Sequence, residues 1–148
     1  MDSYEKCESV GRQKMLVLFG DKYIIRFTEG KYDVVDFFAT ALTLSRRTYV
    51  GDIKNYEDRP YSKFENYMID YAKLKNIKDK ADEDGRIPVL VCFFTDGTIV
   101  WDLRKVDFES EKEWRWVNKD GQHYGREKEY SCVTYLHKEE AKWTSTAS

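Results

Sequence analysis

Cysteine is scarce in this chain and odd in number. Cys7, Cys92 and Cys132 are the only three in 148 residues. They stand far apart, and none belongs to a Cys-x-x-Cys pair or has a histidine at zinc spacing. A disulfide scaffold and a structural zinc site are excluded on that ground, and the three read as buried thiols in a reducing cytoplasm. The two histidines, His123 and His137, lie in the charged C-terminal part without partners at ligand spacing and read as surface residues. No apolar run approaches the roughly 18 residues that a membrane helix needs, and the opening Met1-Asp2-Ser3-Tyr4-Glu5 lacks a basic-then-apolar order. The expectation is a soluble, cytoplasmic protein with no membrane partner. A charge excess of one sign is missing too: 25 Lys+Arg against 27 Asp+Glu leave -2, so the total charge advertises no nucleic acid. Repeats, low-complexity stretches and linkers are absent. So are a Gly-rich phosphate loop, a nucleophile elbow and a paired-His signature, which removes the enzyme classes those motifs serve.

What is present is apolar material for one core. Hydrophobic residues make up 41% and aromatics 16% of a 17.6 kDa chain, which argues for a single folded domain over 1–148 and against disorder. Cys7, Val10, Met15 and Leu18 recur at helical spacing, predicting a helix over 3–19 that Gly20-Asp21 ends. Three β-like runs follow at 23–28, 32–40 and 48–55, with Glu29-Gly30-Lys31 as a tight turn between the first two. Pro60 then opens a second predicted helix, in which Phe64, Tyr67, Met68, Tyr71, Leu74 and Ile77 recur at three- and four-residue steps as core packing. That helix ends near Asp82-Glu83-Asp84-Gly85. The continuous apolar run 87–94 reads as a strand covered on both faces, turned at Thr95-Asp96-Gly97 into a returning strand at 98–103. Beyond Val106 the chain is charged and tryptophan-rich. Trp114 and Trp116 alternate on a strand, where cross-strand packing is the commoner role and stacking on bases the alternative. Asn118-Lys119-Asp120-Gly121 reads as a turn, 132–136 as a last strand, and 144–148 as a disordered tail.

The chemistry concentrates on the second and third strands. Residues two apart on a strand share a face, so Asp52 and Lys54 project together while Ile53 faces the core. A hairpin would bring Asp36, or else Asp33, beside that pair. Asp36 is preferred because it stands in mid-strand between Val34-Val35 and Phe37-Phe38, whereas Asp33 could cap the preceding turn; a one-residue change of register reverses the choice. Two such carboxylates can hold Mg²⁺ or Mn²⁺, a hard cation that keeps several waters and shares substrate phosphate. Lys54 beside it can orient or deprotonate a water and stabilise the charge that builds on a pentavalent phosphate. Phosphodiester hydrolysis needs little more. A modest basic excess from 44 to 80, nine Lys or Arg against six Asp or Glu, includes Arg46, Arg47, Lys63 and Lys73, the candidates for contact with a nucleic-acid backbone.

A helix, an Asp-bearing hairpin, Asp52-Ile53-Lys54 ending a strand, a long helix and a further strand together resemble the PD-(D/E)xK nuclease family. The resemblance covers about 5–106. It implies a restriction-endonuclease-like core of α/β class, an α+β mixed sheet flanked by helices; the Trp-rich 107–143 beyond it reads as a C-terminal β-hairpin extension. It also implies a metal-dependent nuclease acting on nucleic acid, in first place DNA, and a homodimer as a common assembly. A glutamate of the first helix often joins the metal ligands in such proteins; Glu8 is the best candidate, with Glu5 behind it. The helix after the lysine often turns polar residues to the site, here Lys63, Tyr67, Asp70 or Lys73. Two departures stand out: no proline precedes either aspartate, and Asp52 replaces the more usual glutamate. The small size is in keeping with a phage-encoded enzyme. Two rival readings leave the same residues without catalysis: a silent nuclease-like module that binds DNA or protein, and a small interaction protein whose Asp52 and Lys54 merely decorate an edge strand.

Overall fold

The computed structural model describes residues 3–29, 34–56, 65–118 and 127–146. Helix α1 (Ser3–Phe19) forms where the helical period predicts it, and Gly20 ends it by donating its N–H to the Leu16 carbonyl. Met15 is its buried anchor. Gly11 faces strand β3 so closely that a Cβ there would stand 3.1 Å from Ile53 Cγ2, which is how helix and sheet approach one another.

Strands β1 (Tyr23–Phe27), β2 (Phe37–Ala41) and β3 (Thr48–Asn55) form an antiparallel meander. The chain then leaves this sheet through β4 (Asn66–Asp70) and helix α2 (Tyr71–Asp84), and returns as β5 (Ile87–Phe94), parallel to β3. The β5 run is apolar without alternation because it is covered on both faces. β6 (Gly97–Asp102) pairs back on β5, and β9 (Trp143–Thr146) closes the edge, giving the order β1-β2-β3-β5-β6-β9. A second, antiparallel sheet has the order β4-β8-β7, with β7 at Glu113–Asn118 and β8 at Lys128–His137.

The fold class is therefore the expected α+β mixed sheet flanked by helices. Three local expectations are corrected. Residues 66–70, expected inside the second helix, form β4: Tyr67 and Ile69 are buried while Asn66, Met68 and Asp70 are exposed, a period of two hidden beneath an apparent helical spacing. Helix α2 starts only at Tyr71, where the Asp70 carboxylate accepts the Ala72 N–H at 3.1 Å; it stops at Gly85 in the left-handed region, φ 67°. The strand expected over 32–40 begins only at Phe37, after a bend at Asp36. The tail expected to be disordered pairs with β6 through Thr146, because β6 otherwise presents an open edge. Asp33, Lys63 and most of the two expected turns at 29–31 and 118–121 lie outside the described residues.

Side chains divide into two cores on opposite faces of the larger sheet. Under α1 lie Met15, Phe37, Ala39, Tyr49, Val89 and Val91. On the other face, Val50, Leu90 and Trp101 pack against Leu74 and Ile77 of α2 and against Tyr67, Ile69 and Leu136 of the second sheet. Trp101 ties the two sheets, its indole N–H donating to the His137 carbonyl at 2.8 Å. Among the described residues, no helix is long and apolar enough to cross a membrane.

Candidate metal centre

β3 alternates as expected. Ile53 joins the core under α1, so Asp52 and Lys54 turn to the opposite face, with Val50 and toward α2. The bend before β2 brings Asp36 against them. The Asp36 N–H donates to the Gly51 carbonyl at 2.9 Å and to Asp52 Oδ1 at 3.0 Å, and the Ile53 N–H donates to Asp36 Oδ2 at 2.9 Å. Each aspartate is thus held by a backbone N–H of the segment that carries the other. Asp36 is anchored from behind as well: its carbonyl accepts from the Thr28 N–H at 2.9 Å and from the Thr28 hydroxyl at 3.1 Å.

Asp52 is 1% exposed, and no hydrogen-bond donor reaches its Oδ2. Lys73 Nζ, on α2, stands 3.6 Å from that oxygen. Burial, and then the negative charge of Asp36, raise the Asp52 carboxyl to about 6, against the opposing pull of Lys73, the Asp36 N–H and Lys54. Burial, and then the like charge of Lys73, lower the Lys54 ammonium, against Cys92, Asp52 and Asp70. Cys92, opposite Lys54 in the ladder, is pushed up to about 12 by burial, so it stays a thiol and offers no soft ligand at neutral pH.

Of the residues expected at the site, the fold brings together Asp36, Asp52, Lys54 and Lys73. Lys73 was expected both to turn to the site and to contact a nucleic-acid backbone; that it pairs directly with Asp52 was not expected. The signal was present: Asp70 as an N-cap puts Lys73 in the first turn, beside the end of β4. Glu8 is held by Arg12 at 3.1 Å, and Arg12 in turn donates to the Thr28 carbonyl at 2.8 Å. It is one link of a chain behind Asp36. No group of three or more His, Cys, Asp or Glu that could hold a metal occurs among the described residues, so the donor set in view is the Asp36–Asp52 pair. Arg46 and Arg47 lie in the β2–β3 connection at the other end of the hairpin, exposed and about 16 Å along β3 from Asp52. Asn55 faces α1, accepting from Lys14 Nζ at 2.9 Å. Tyr67 is buried in the core.

A separate apolar cavity of about 270 Å³ lies under α1, lined by Met15, Phe19, Tyr49, Val91 and Trp143 with Lys22 and Lys142. It is on the far face of the sheet from Asp52 and contributes nothing to the carboxylate pair. No protein-family model matches the chain, and no curated protein matches it.

Proposed function

We propose that the chain is a Mg²⁺- or Mn²⁺-dependent nuclease that hydrolyses phosphodiester bonds of nucleic acid, with DNA as the first substrate to test. The observation that carries this reading is the interlocked aspartate pair, with a buried Asp52 Oδ2 that no donor satisfies, beside two lysines. The order helix, antiparallel strands carrying the acids, crossover helix and parallel strand supports it, since it is the order that the PD-(D/E)xK resemblance implies. The residues fit such a cation: carboxylate oxygens are the hard donors it takes, and one or two of them suffice when waters and phosphate complete the shell.

Asp36 and Asp52 would hold the ion. When bound, it supplies a Lewis acid for the phosphoryl oxygens and acidifies a bound water. Lys54, its basicity lowered, is placed to take a proton at Nζ from the attacking water or to stabilise charge on the phosphate. Lys73 neutralises Asp52 and adds positive charge where a phosphate would arrive. Calorimetric titration with Mn²⁺ tests the centre: wild type binds, Asp52→Asn and Asp36→Asn do not. Equal binding by all three ends the reading. On plasmid, linear, single-stranded and RNA substrates, Lys54→Ala should keep metal affinity and lose about two orders of magnitude in rate.

One observation favours a second reading. Lys73 already stands as a counter-charge to Asp52, and a permanent pair of that kind suits a silent binding module. Metal binding by the wild type, followed by cleavage, decides between the two.

A further inference from the structure

Two tryptophans and a tyrosine stand in solvent on the second sheet: Trp114, Trp116 and Tyr130 are 62%, 64% and 56% exposed. Their rings pack on each other, Tyr130 lying 5.6 Å from Trp114 and 5.5 Å from Trp116 between centroids. Cross-strand packing therefore exists, but it leaves most of the rings' area in water. Such a cluster is rare on a monomer's surface without a partner.

Register shows what accompanies the rings. β7 and β8 pair Trp114 with Cys132, Trp116 with Tyr130 and Asn118 with Lys128, and directly opposed residues share a face. Along these strands the aromatic face therefore carries Asn118 and Lys128 beside the rings, and no carboxylate. Glu113 and Glu129 alternate to the reverse face. The same face of β8 continues into Thr134 and Leu136, which are buried in the core. The rings thus prolong the core-facing side of the sheet past the point where the core ends.

We propose that this aromatic face of β7 and β8 is a stacking platform for single-stranded nucleic acid. The exposed rings and the lysine-bearing, acid-free face choose that occupant. Bases offer π-faces of any sequence to exposed rings, and a strand's phosphates are drawn to a face with a lysine and no acid. A protein interface of this chain with itself would instead exclude lysine from its centre. Level along the strands agrees as well: Glu113 and Asp70, on the outer strands, both pair with Val133 of β8 on the face opposite the rings, so the row of rings starts one residue past the level of the N-cap of α2. Three residues further stands Lys73, against Asp52. The platform is chemically separate from the metal centre, and it names the strand state that the proposed nuclease would grip.

The test is run in EDTA, so metal binding and cleavage play no part in it. Fluorescein-labelled oligo(dT) and oligo(U) of about ten nucleotides, within the usual span of such sites, are titrated with wild-type protein by anisotropy. A hairpin duplex serves as the third arm. The expected result is binding of one or both single strands, quenching of tryptophan emission, and weaker binding of the duplex. Trp116→Ala and Tyr130→Ala should each lower the affinity about tenfold with unchanged circular dichroism, since both side chains are exposed. Lys128→Ala should flatten the salt dependence by about 0.7 in the log–log slope; this variant reads the same surface should an aromatic one misfold. Full affinity in Trp114→Ala/Trp116→Ala overturns the proposal. So does a wild type that binds no oligonucleotide but dimerises through the rings, seen as a dimer that the double variant loses in sedimentation. Failure of the Mn²⁺ titration leaves this result standing, and the reverse also holds.

Discussion

Asp52 stores free energy in the folded state. A carboxyl raised from its ordinary 3.8 to about 6 keeps its proton in the fold at pH values where the unfolded chain has released it. Stability from this group is therefore full below about pH 4, falls as pH rises through about 6, and stays low above. Two pKa units correspond to about 3 kcal/mol. In EDTA, Asp52→Asn should remove that slope: the variant should match or trail the wild type at pH 4 and exceed it in urea unfolding at pH 8. Parallel pH profiles would show that Lys73 and the Asp36 amide already satisfy the charge. A site that is costly until something positive arrives is the thermodynamic form of a binding site, and the price falls on a single residue because Asp36 cannot move away. Its amide and its carboxylate are both spent on β3.

At the scale of elements, β3 carries the site because of what surrounds it. Gly51, between Val50 and Asp52, lies so close to β5 that an added Cβ would run into the backbone carbonyl of Val89. Its own carbonyl takes the Asp36 N–H. Gly51→Ala must push β3 from β5, at a cost of about 2 kcal/mol, and should displace both aspartates. The expected outcome is a lower Tm together with weaker Mn²⁺ binding; an unchanged Tm would refute the close approach. The elements also show what could be read from residues. The i, i+2 placement of Asp52 and Lys54, the apolar β5 and the period of α1 all rest on local alternation, and they appear as expected. β4 does not, because Tyr67, Tyr71 and Leu74 keep helical spacing across a boundary that only pairing with β8 reveals.

For the whole molecule, the question is whether two sheets make one cooperative unit. Trp101 is fully buried, packs on Tyr67 at 5.9 Å between ring centroids, and bonds the His137 carbonyl. Thr134 of β8 donates to the Phe108 carbonyl, and α2 packs on both sheets. With the second sheet sharing this core, urea unfolding followed by far-UV circular dichroism and by tryptophan emission should give coincident transitions. Separate midpoints would make β4-β8-β7 an independent part. Trp101→Phe, which removes the N–H that joins the sheets, should lower the midpoint by about 1–3 kcal/mol equivalent, the cost of leaving a buried carbonyl unpaired.

The sequence by itself determined the mixed α+β class, the α1, β3 and β5 segments, and the face that Asp52 shares with Lys54, because each depends on periodicity along a few residues. It preferred Asp36 to Asp33 as a mid-strand residue, whereas Asp36 stands in the bend before β2, bonded to β3, and Asp33 lies outside the described residues. Only the tertiary structure decided that Lys73 meets Asp52, that Arg46 and Arg47 stand at the far end of the hairpin, and that Glu8 is tied to Arg12. It also decided that Trp143 opens an edge strand and that Trp114 and Trp116 face water. These are matters of register and crossover between segments distant in the chain, and no local pattern encodes which distant partner an edge or a charge will find.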